Sequence, residues 1–428
     1  MAADPASAAA VLAQVNAASD DMADLGLEDM QDPVDDDEEY IDETSGKKKQ
    51  RSWLGKIGKG ISKRVNKATA VITGGVMTAE DNEALARVNA CRHPFALKEG
   101  GIGIQDPNEA KLCRSVLSMM IKSMGRTLLQ GGNVMKTSFP IQCCQPGTIL
   151  EVACKQAGNF HHFLPRAVAC TDPVERMKLV VACFASSQIL PVGTFLKPLN
   201  PILGETLQVE YSDGSKAYCE QTCHHPPITS FKLDSPPGAG YEFWGFTEFG
   251  AGFGYNRMFL KSKGLLQLKF KDGTLFEIGL SENKVENVFW GTMRHEIYGS
   301  QTFVDTTNNM RAVINYSPSG RVGLPSDYFE GVLEKFDPAA PDQEGQLISN
   351  ITGSWVGFCD FDKVRYWDIN TVEKLAMKVP TSILKSDSRC RGDRNTVSLS
   401  LALALSLSLS LARSLSPSLS LGWGGGAT

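Results

Sequence analysis

The chain has 428 residues with 42% hydrophobic and 8% aromatic side chains, enough to bury a sizeable core in one large domain or two ordinary ones. Its formal net charge of −5 is uneven: residues 1–46 hold 14 Asp and Glu and no Lys or Arg, leaving 34 acids against 43 bases from residue 47 onward, a balance that suits visits to an anionic membrane surface. No run of eighteen apolar residues and no secretory leader is legible, and the eleven cysteines contain no Cys-x-x-Cys, so the reading is a cytoplasmic protein with reduced thiols, peripheral on membranes at most, with no nucleic-acid partner.

Residues 1–46 are dense in acid, uninterrupted from Asp35 to Glu39, and read as a disordered tail. Within it, Glu39-Tyr40-Ile41-Asp42 resembles the start of the short motif by which lipid-transfer proteins dock on an endoplasmic-reticulum receptor of the VAP type, although Glu43 and Ser45 depart from that pattern. Residues 47–110 read as a basic amphipathic segment and linker. Trp53, Leu54, Ile57, Ile61, Val65 and Ile72 recur at steps of three and four with Lys56, Lys59, Lys63, Arg64 and Lys67 between them, which predicts a helix that lies in a headgroup interface or packs on its own domain.

A second helix is predicted over Glu109–Leu129, with Leu112, Val116, Met119 or Met120, and Leu128 on one face. A third opens with Asp172 as N-cap, Pro173 in the first turn and Glu175 after it, followed by the apolar Met177, Val180, Val181 and Phe184. After Lys197 the chain turns to short strands. Leu207-Val209-Tyr211 alternates, Asp213-Gly214 turns, and Lys216 to Gln221 returns. Strands are predicted at Tyr241–Phe249, Leu265–Phe270, Leu275–Leu280 and Val285–Trp290, and Pro318-Ser319-Gly320 separates two more. This succession predicts an antiparallel meander that removes its edges by curling into a barrel large enough for a ligand. From Leu399 to Leu411 leucine alternates with serine or alanine, and residues 396–428 read as a low-complexity tail that is not native-like.

Two stretches carry chemistry. Lys197-Pro198-Leu199-Asn200-Pro201 sets a flexible ammonium and an amide on a loop braced by Pro198 and Pro201. Cys219-Glu220-Gln221-Thr222-Cys223-His224-His225-Pro226-Pro227 places two imidazoles ahead of Pro226 and Pro227, which fix the local backbone. Such a pair suits a phosphate oxygen or a metal equally well. Cys219, Cys223 and His225 share strand parity and could face one zinc ion, though Cys-x₃-Cys on a strand spans far for joint ligation. A nucleophilic enzyme built on Cys223 beside His224 or His225 lacks an oxyanion framework. No cofactor and no catalytic residue are assigned.

Glu220 to Pro227, the Lys197–Pro201 loop with the Leu203-Gly204-Glu205-Thr206 that follows, and weaker similarity from about Ser115 to Asn395, including Ser138-Phe139-Pro140, Leu150-Glu151 and Asp387-Ser388-Arg389, make the chain resemble the oxysterol-binding protein-related family. The resemblance implies an α+β, β-dominated domain over 111–395: a large antiparallel, incomplete β-barrel enclosing a lipid tunnel, with an N-terminal helical lid at about 111–145, extended over Phe139-Pro140-Ile141, and flanking helices. It implies that Lys197, Asn200, His224 and His225 grip the headgroup of a phosphoinositide, notably phosphatidylinositol 4-phosphate, while acyl chains or a sterol fill the tunnel. The function expected is transfer or exchange of such lipids between membranes; a lipid sensor or scaffold without net transport is the alternative. The family's further headgroup contacts from a helix after the Asp393-Arg394 pair have no counterpart here.

Overall fold

The computed structural model describes residues 77–373 apart from 105, 125–139, 193, 255, 319–322 and 342, together with 377–378 and the backbone of 40–41 and 48–49. The predicted basic helix near Trp53, the end of the helix predicted to Leu129, Phe139, the Asp387–Arg394 region and the Leu/Ser tail lie outside the described residues. Tyr40–Ile41 and Lys48–Lys49 form a two-residue antiparallel pair.

Residues 78–104, set aside as linker in the sequence reading, form a helix and a strand on the main body. Helix α1 (Ala79–Ala90) starts with a reciprocal cap in which the Asp81 amide donates to Thr78 Oγ1 and the Thr78 amide donates to Asp81 Oδ2. Its far end is tied to the sheet by Arg87, which donates to Asp360, a carboxylate with no solvent exposure. Arg92 pairs in the same way with the buried Asp327, which also accepts from the Gly101 amide. Strand β1 (Ile102–Gly103) then adds to the large sheet.

Helix α2 (Pro107–Met124) confirms the predicted second helix over its described part, with Cys113, Val116 and Leu117 buried. Of the extended segment expected after it, Pro140 is extended, at φ −56° and ψ 136°, but Ile141 is not. Ile141–Cys143 makes a tight helical turn, the Cys143 amide donating to the Pro140 carbonyl, before strand β2 (Cys144–Thr148). Two helices that the sequence reading missed follow, α3 (Ile149–Lys155) and α4 (Phe160–Ala169).

Helix α5 (Pro173–Ser187) begins as predicted, with the Asp172 carboxylate accepting from the Val174 amide and Pro173 in the first turn. It is buried from Arg176 to Ser187 except at Lys178, and a helix with so little polar surface belongs inside a domain. Phe184 meets Phe243 and Phe303 on opposite parts of the sheet, and the Arg176 guanidinium is consumed by the carbonyls of Ala167 and Cys170, by Thr274 and by Asp272.

The strands after Lys197 are β3 (Lys197–Leu199), β4 (Thr206–Tyr211), β5 (Lys216–Cys223), β6 (Ile228–Asp234), β7 (Tyr241–Gly254), β8 (Arg257–Phe270), β9 (Leu275–Ile278), β10 (Glu282–Glu286), β11 (Arg294–Asp305), β12 (Met310–Tyr316), β13 (Tyr328–Lys335), β14 (Gln346–Ser354), β15 (Phe358–Phe361), β16 (Val364–Asp368) and β17 (Met377–Lys378). One fifteen-stranded sheet runs β16-β15-β14-β13-β12-β11-β9-β8-β7-β6-β5-β4-β17, with β10 bridging β8 and β11 and β1 beside β11. Every pairing in it is antiparallel, and the order follows the chain almost throughout, as a meander requires. Among the described residues the end strands β16 and β17 do not pair with each other, which leaves the barrel incomplete there. The strand predicted to Trp290 stops at Glu286. Asn287 adopts φ 61°, and the buried Asn256, at φ 51°, accepts from the amides of Phe289 and Trp290, which bends residues 287–291 into a turn.

Candidate functional site

Between α2, α3, the end of α5 and the concave face of the sheet lies a cavity of about 370 Å³, within the usual span of ligand pockets, about 300–1,000 Å³. Its wall is predominantly apolar, built by residues such as Leu117, Phe160, Phe184, Phe231, Leu260 and Val285. Among the described residues that line it, Lys197 is the one permanent cation, and no Asp or Glu accompanies it. An anion set on an apolar body is the ligand type that matches such a wall.

Lys197 and Asn200 both line the cavity, together with Pro198. Their loop is pinned twice. Strand β3 pairs in parallel with β2, Lys197 opposite Cys144 and Leu199 opposite Thr148. Just upstream, Glu109 of α2 accepts from Thr194 Oγ1 at 2.9 Å and from the Phe195 amide. The helix over the cavity and the lysine loop therefore share one carboxylate. Five residues further along α2, Arg114 donates to the carbonyl of Gly291, in the turn organised by Asn256.

The imidazole motif is adjacent to the lysine loop. The Gly204 amide donates to the Gln221 carbonyl at 2.9 Å, and the Gln221 amide to the Glu205 carbonyl at 3.0 Å. His224 Nδ1 lies 3.1 Å from the carbonyl oxygen of Pro201. A carbonyl only accepts, so Nδ1 carries the proton and Nε2 is the nitrogen left for another partner. The His225 ring lies with its centroid 4.5 Å from that of His224, the two planes tilted by 57°, and is exposed. Neither imidazole lines the cavity, whereas Pro227 does, and His225–Pro226 is cis. Lys197 and Asn200 thus stand in the cavity wall, and His224 is tied to their loop at Pro201 without lining the cavity itself. A bulge between Gln221 and Cys223 breaks the strand parity that would bring Cys219 and Cys223 together, and no metal-holding group of three or more ligands occurs among the described residues.

Two polar clusters inside the cavity escaped the sequence reading. Gln188, at the end of α5, donates from Nε2 to Gln301 Oε1 at 3.1 Å; Gln301 Oε1 also accepts from the Tyr316 hydroxyl at 2.9 Å, and Ser281 donates to Gln188 Oε1 at 3.0 Å. Gln188, Ser281 and Gln301 line the cavity. Further along the wall, His295 Nε2 lies 3.0 Å from Asn283 Oδ1, and burial pushes this imidazole down to about 4, so it is neutral at pH 7. The available signal was weak: Gln301 is a polar residue at an inward position of an otherwise apolar strand end, Phe303-Val304, and nothing in one sequence identifies Gln188 as its partner.

Residues 117–399 match the profile of the family described as Oxysterol-binding protein. Among curated relatives, Oxysterol-binding protein 9 of Dictyostelium discoideum is 29% identical over 314 residues, which cover 69% of this chain and 72% of that protein. Oxysterol-binding protein 2 of Mus musculus is 26% identical over 259 residues, 59% of this chain but 26% of the mouse protein, so the chain spans about a quarter of that relative. Among solved structures, the Osh1 ORD domain in complex with ergosterol aligns with a TM-score of 0.50 at 20% identity, over 73% of this chain and 67% of that one, which shows a shared fold. The matched profile covers well over half of the chain, including the barrel, the lysine loop and the paired imidazoles: this protein belongs to the oxysterol-binding protein family.

Proposed function

We propose that the chain binds single lipids in the barrel cavity and transfers or exchanges a sterol, phosphatidylinositol 4-phosphate, or both, between membranes. The observation that carries this reading is the place of Lys197: one cation in the wall of an apolar cavity, on a loop held by β2, by Glu109 and by the His224–Pro201 hydrogen bond. In this reading Lys197 and Asn200 take the phosphate from inside the cavity, His224 and His225 take it from outside, and Pro198, Pro201, Pro226 and Pro227 hold the two loops that carry them. The Gln188–Gln301–Tyr316 cluster offers a hydroxyl a partner at the far wall, which suits a sterol.

Each lipid methylene withdrawn from water contributes about 0.8 kcal/mol, so a free lipid leaves a membrane slowly and a carrier that encloses the chain removes that barrier. No bond is broken in such a step, and none of these side chains acts as a catalyst. The acting surface would be cytoplasmic and peripheral, with the basic segment near Trp53 drawn to anionic lipid and the acidic segment near Tyr40 to a VAP-type receptor. A sensor or scaffold that binds lipid without net transport uses the same pocket. Transfer of labelled sterol and of phosphatidylinositol 4-phosphate between two liposome populations tests the proposal: catalytic amounts of protein should accelerate both, and stoichiometric capture without transfer would favour the sensor.

A further inference from the structure

The cavity wall carries two thiols from elements far apart in the sequence. Cys154, near the end of α3, and Cys219, in the middle of β5, bring their sulfurs to 3.4 Å. Both are buried and both line the cavity. Their placement is fixed from each side. The Tyr211 hydroxyl of β4 donates to the Cys154 carbonyl at 2.6 Å, and Cys219 sits in a continuous ladder between Leu207 and Phe231. The contact with Cys219, together with burial, holds the Cys154 thiol well above its ordinary range. Burial shields the pair from water, whereas an apolar molecule seated in the cavity lies against it, so access and not thiolate character sets which oxidant reaches these sulfurs.

We propose that Cys154 and Cys219 form an oxidisable dithiol that closes to a disulfide on reaction with an apolar hydroperoxide, the oxidised form of a lipid, held in the cavity. The proposal rests on the reading of this cavity as a lipid site. In the first step one sulfur attacks the outer peroxide oxygen, the O–O bond breaks, and the lipid leaves as its alcohol with the thiol proton, giving a sulfenic acid. In the second, the other sulfur attacks the first, the S–O bond breaks and water departs with the remaining proton. Two thiols are oxidised by two electrons, and one hydroperoxide becomes one alcohol and one water. The new bond ties α3 to β5 across the cavity wall, so oxidation also alters the space a following lipid can occupy.

The test uses the full chain, reduced and then treated with cumene hydroperoxide or with hydrogen peroxide at equal concentration, and reads peroxide loss together with disulfide-linked peptides. Trypsin leaves Cys154 on a peptide with Cys143 and Cys144, and Cys219 on one with Cys223, so the link is assigned by fragmentation and by its loss in Cys154→Ser and in Cys219→Ser. The expected result is a Cys154–Cys219 link with one cumene hydroperoxide consumed per link, more than about tenfold faster than with hydrogen peroxide, and slowed by saturating sterol. Equal rates with the two peroxides, or both thiols still alkylatable after denaturation of the treated protein, would overturn it. Binding of a fluorescent sterol to the same sample separates the two claims: binding without the link removes the dithiol alone, and no binding removes the lipid-cavity reading and the proposal with it.

Discussion

Glu109 and Thr194 share a 2.9 Å hydrogen bond that joins the helix over the cavity to the loop of Lys197, three residues further on. Because the same carboxylate oxygen also takes the Phe195 amide, the position of the helix and the position of the lysine are one variable. Glu109→Gln keeps the shape but weakens two charge-assisted hydrogen bonds, at a cost of about 1 kcal/mol. The dissociation rate of a fluorescent lipid, measured by stopped flow, should rise about fivefold in Glu109→Gln and by a similar factor in Thr194→Ala. Unchanged rates in both variants would show that the two parts move independently.

The proposed headgroup residues predict a graded loss of anionic ligand. Lys197→Ala removes the charge that lines the cavity and should weaken phosphatidylinositol 4-phosphate binding by about 2 kcal/mol, roughly thirtyfold. Replacing His224 and His225 together by alanine should abolish extraction of this lipid from liposomes while leaving sterol binding nearly intact. Loss of folding in the double variant, seen as lost thermal cooperativity, would instead assign the imidazoles to holding the β5–β6 turn on Pro201.

Gln301 accepts from Gln188 and Tyr316 and donates to the Gly279 carbonyl at 3.1 Å. Gln301→Leu leaves those partners unsatisfied at the cavity wall, which costs about 1–3 kcal/mol. The variant should lose stability in urea and lose preference for a sterol over its analogue without the hydroxyl. A preference that survives the substitution would place the hydroxyl elsewhere in the cavity.

His295 is one acid-sensitive point of the fold. Its folded value, about 4, lies below the ordinary 6.5, so the unfolded chain binds the extra proton between these values and stability rises with pH across that window. The contribution is fully present above about pH 6.5 and is lost as the pH falls towards 4; it amounts to on the order of 3 kcal/mol. Urea midpoints measured at pH 7, 5.5 and 4.5 should fall more steeply in the wild type than in His295→Gln.

Asn256 combines a left-handed backbone with four side-chain hydrogen bonds around residues 287–291. Asn256→Ala loses both and should cost about 2–4 kcal/mol, while Asn256→Gly keeps the backbone and recovers roughly 1 kcal/mol of it. The turn also receives Arg114, so both variants should loosen α2, read as faster amide exchange in the helix.

The parts legible in the sequence were those specified locally. Asp213-Gly214 marked a hairpin because glycine supplies the positive φ that turn needs, 87° at Gly214; Gly273, at 91°, does the same between β8 and β9. Asp172 and Pro173 marked α5 by the chemistry of its first turn. Helix α1 passed unread because its cap uses Asp81 rather than Glu or Gln and its surface is mostly polar. At the site, Lys197 and Asn200 were visible as a proline-braced loop, and the Asp213-Gly214 hairpin pairs β4 with β5, but the bond from His224 to the Pro201 carbonyl lies beyond the paired residues and has no local signal. The Glu109 tie, the Gln188–Gln301 cluster and the Cys154–Cys219 contact are products of tertiary packing and leave no periodic trace in the chain.

Helix α5, nearly all of it enclosed, precedes in the chain the strands from Thr206 to Asp368 that surround it. During synthesis its apolar surface emerges while almost all of its container is still to be made. Until that wall arrives the segment is exposed apolar surface, the kind of transient exposure that makes a partly made chain prone to aggregate.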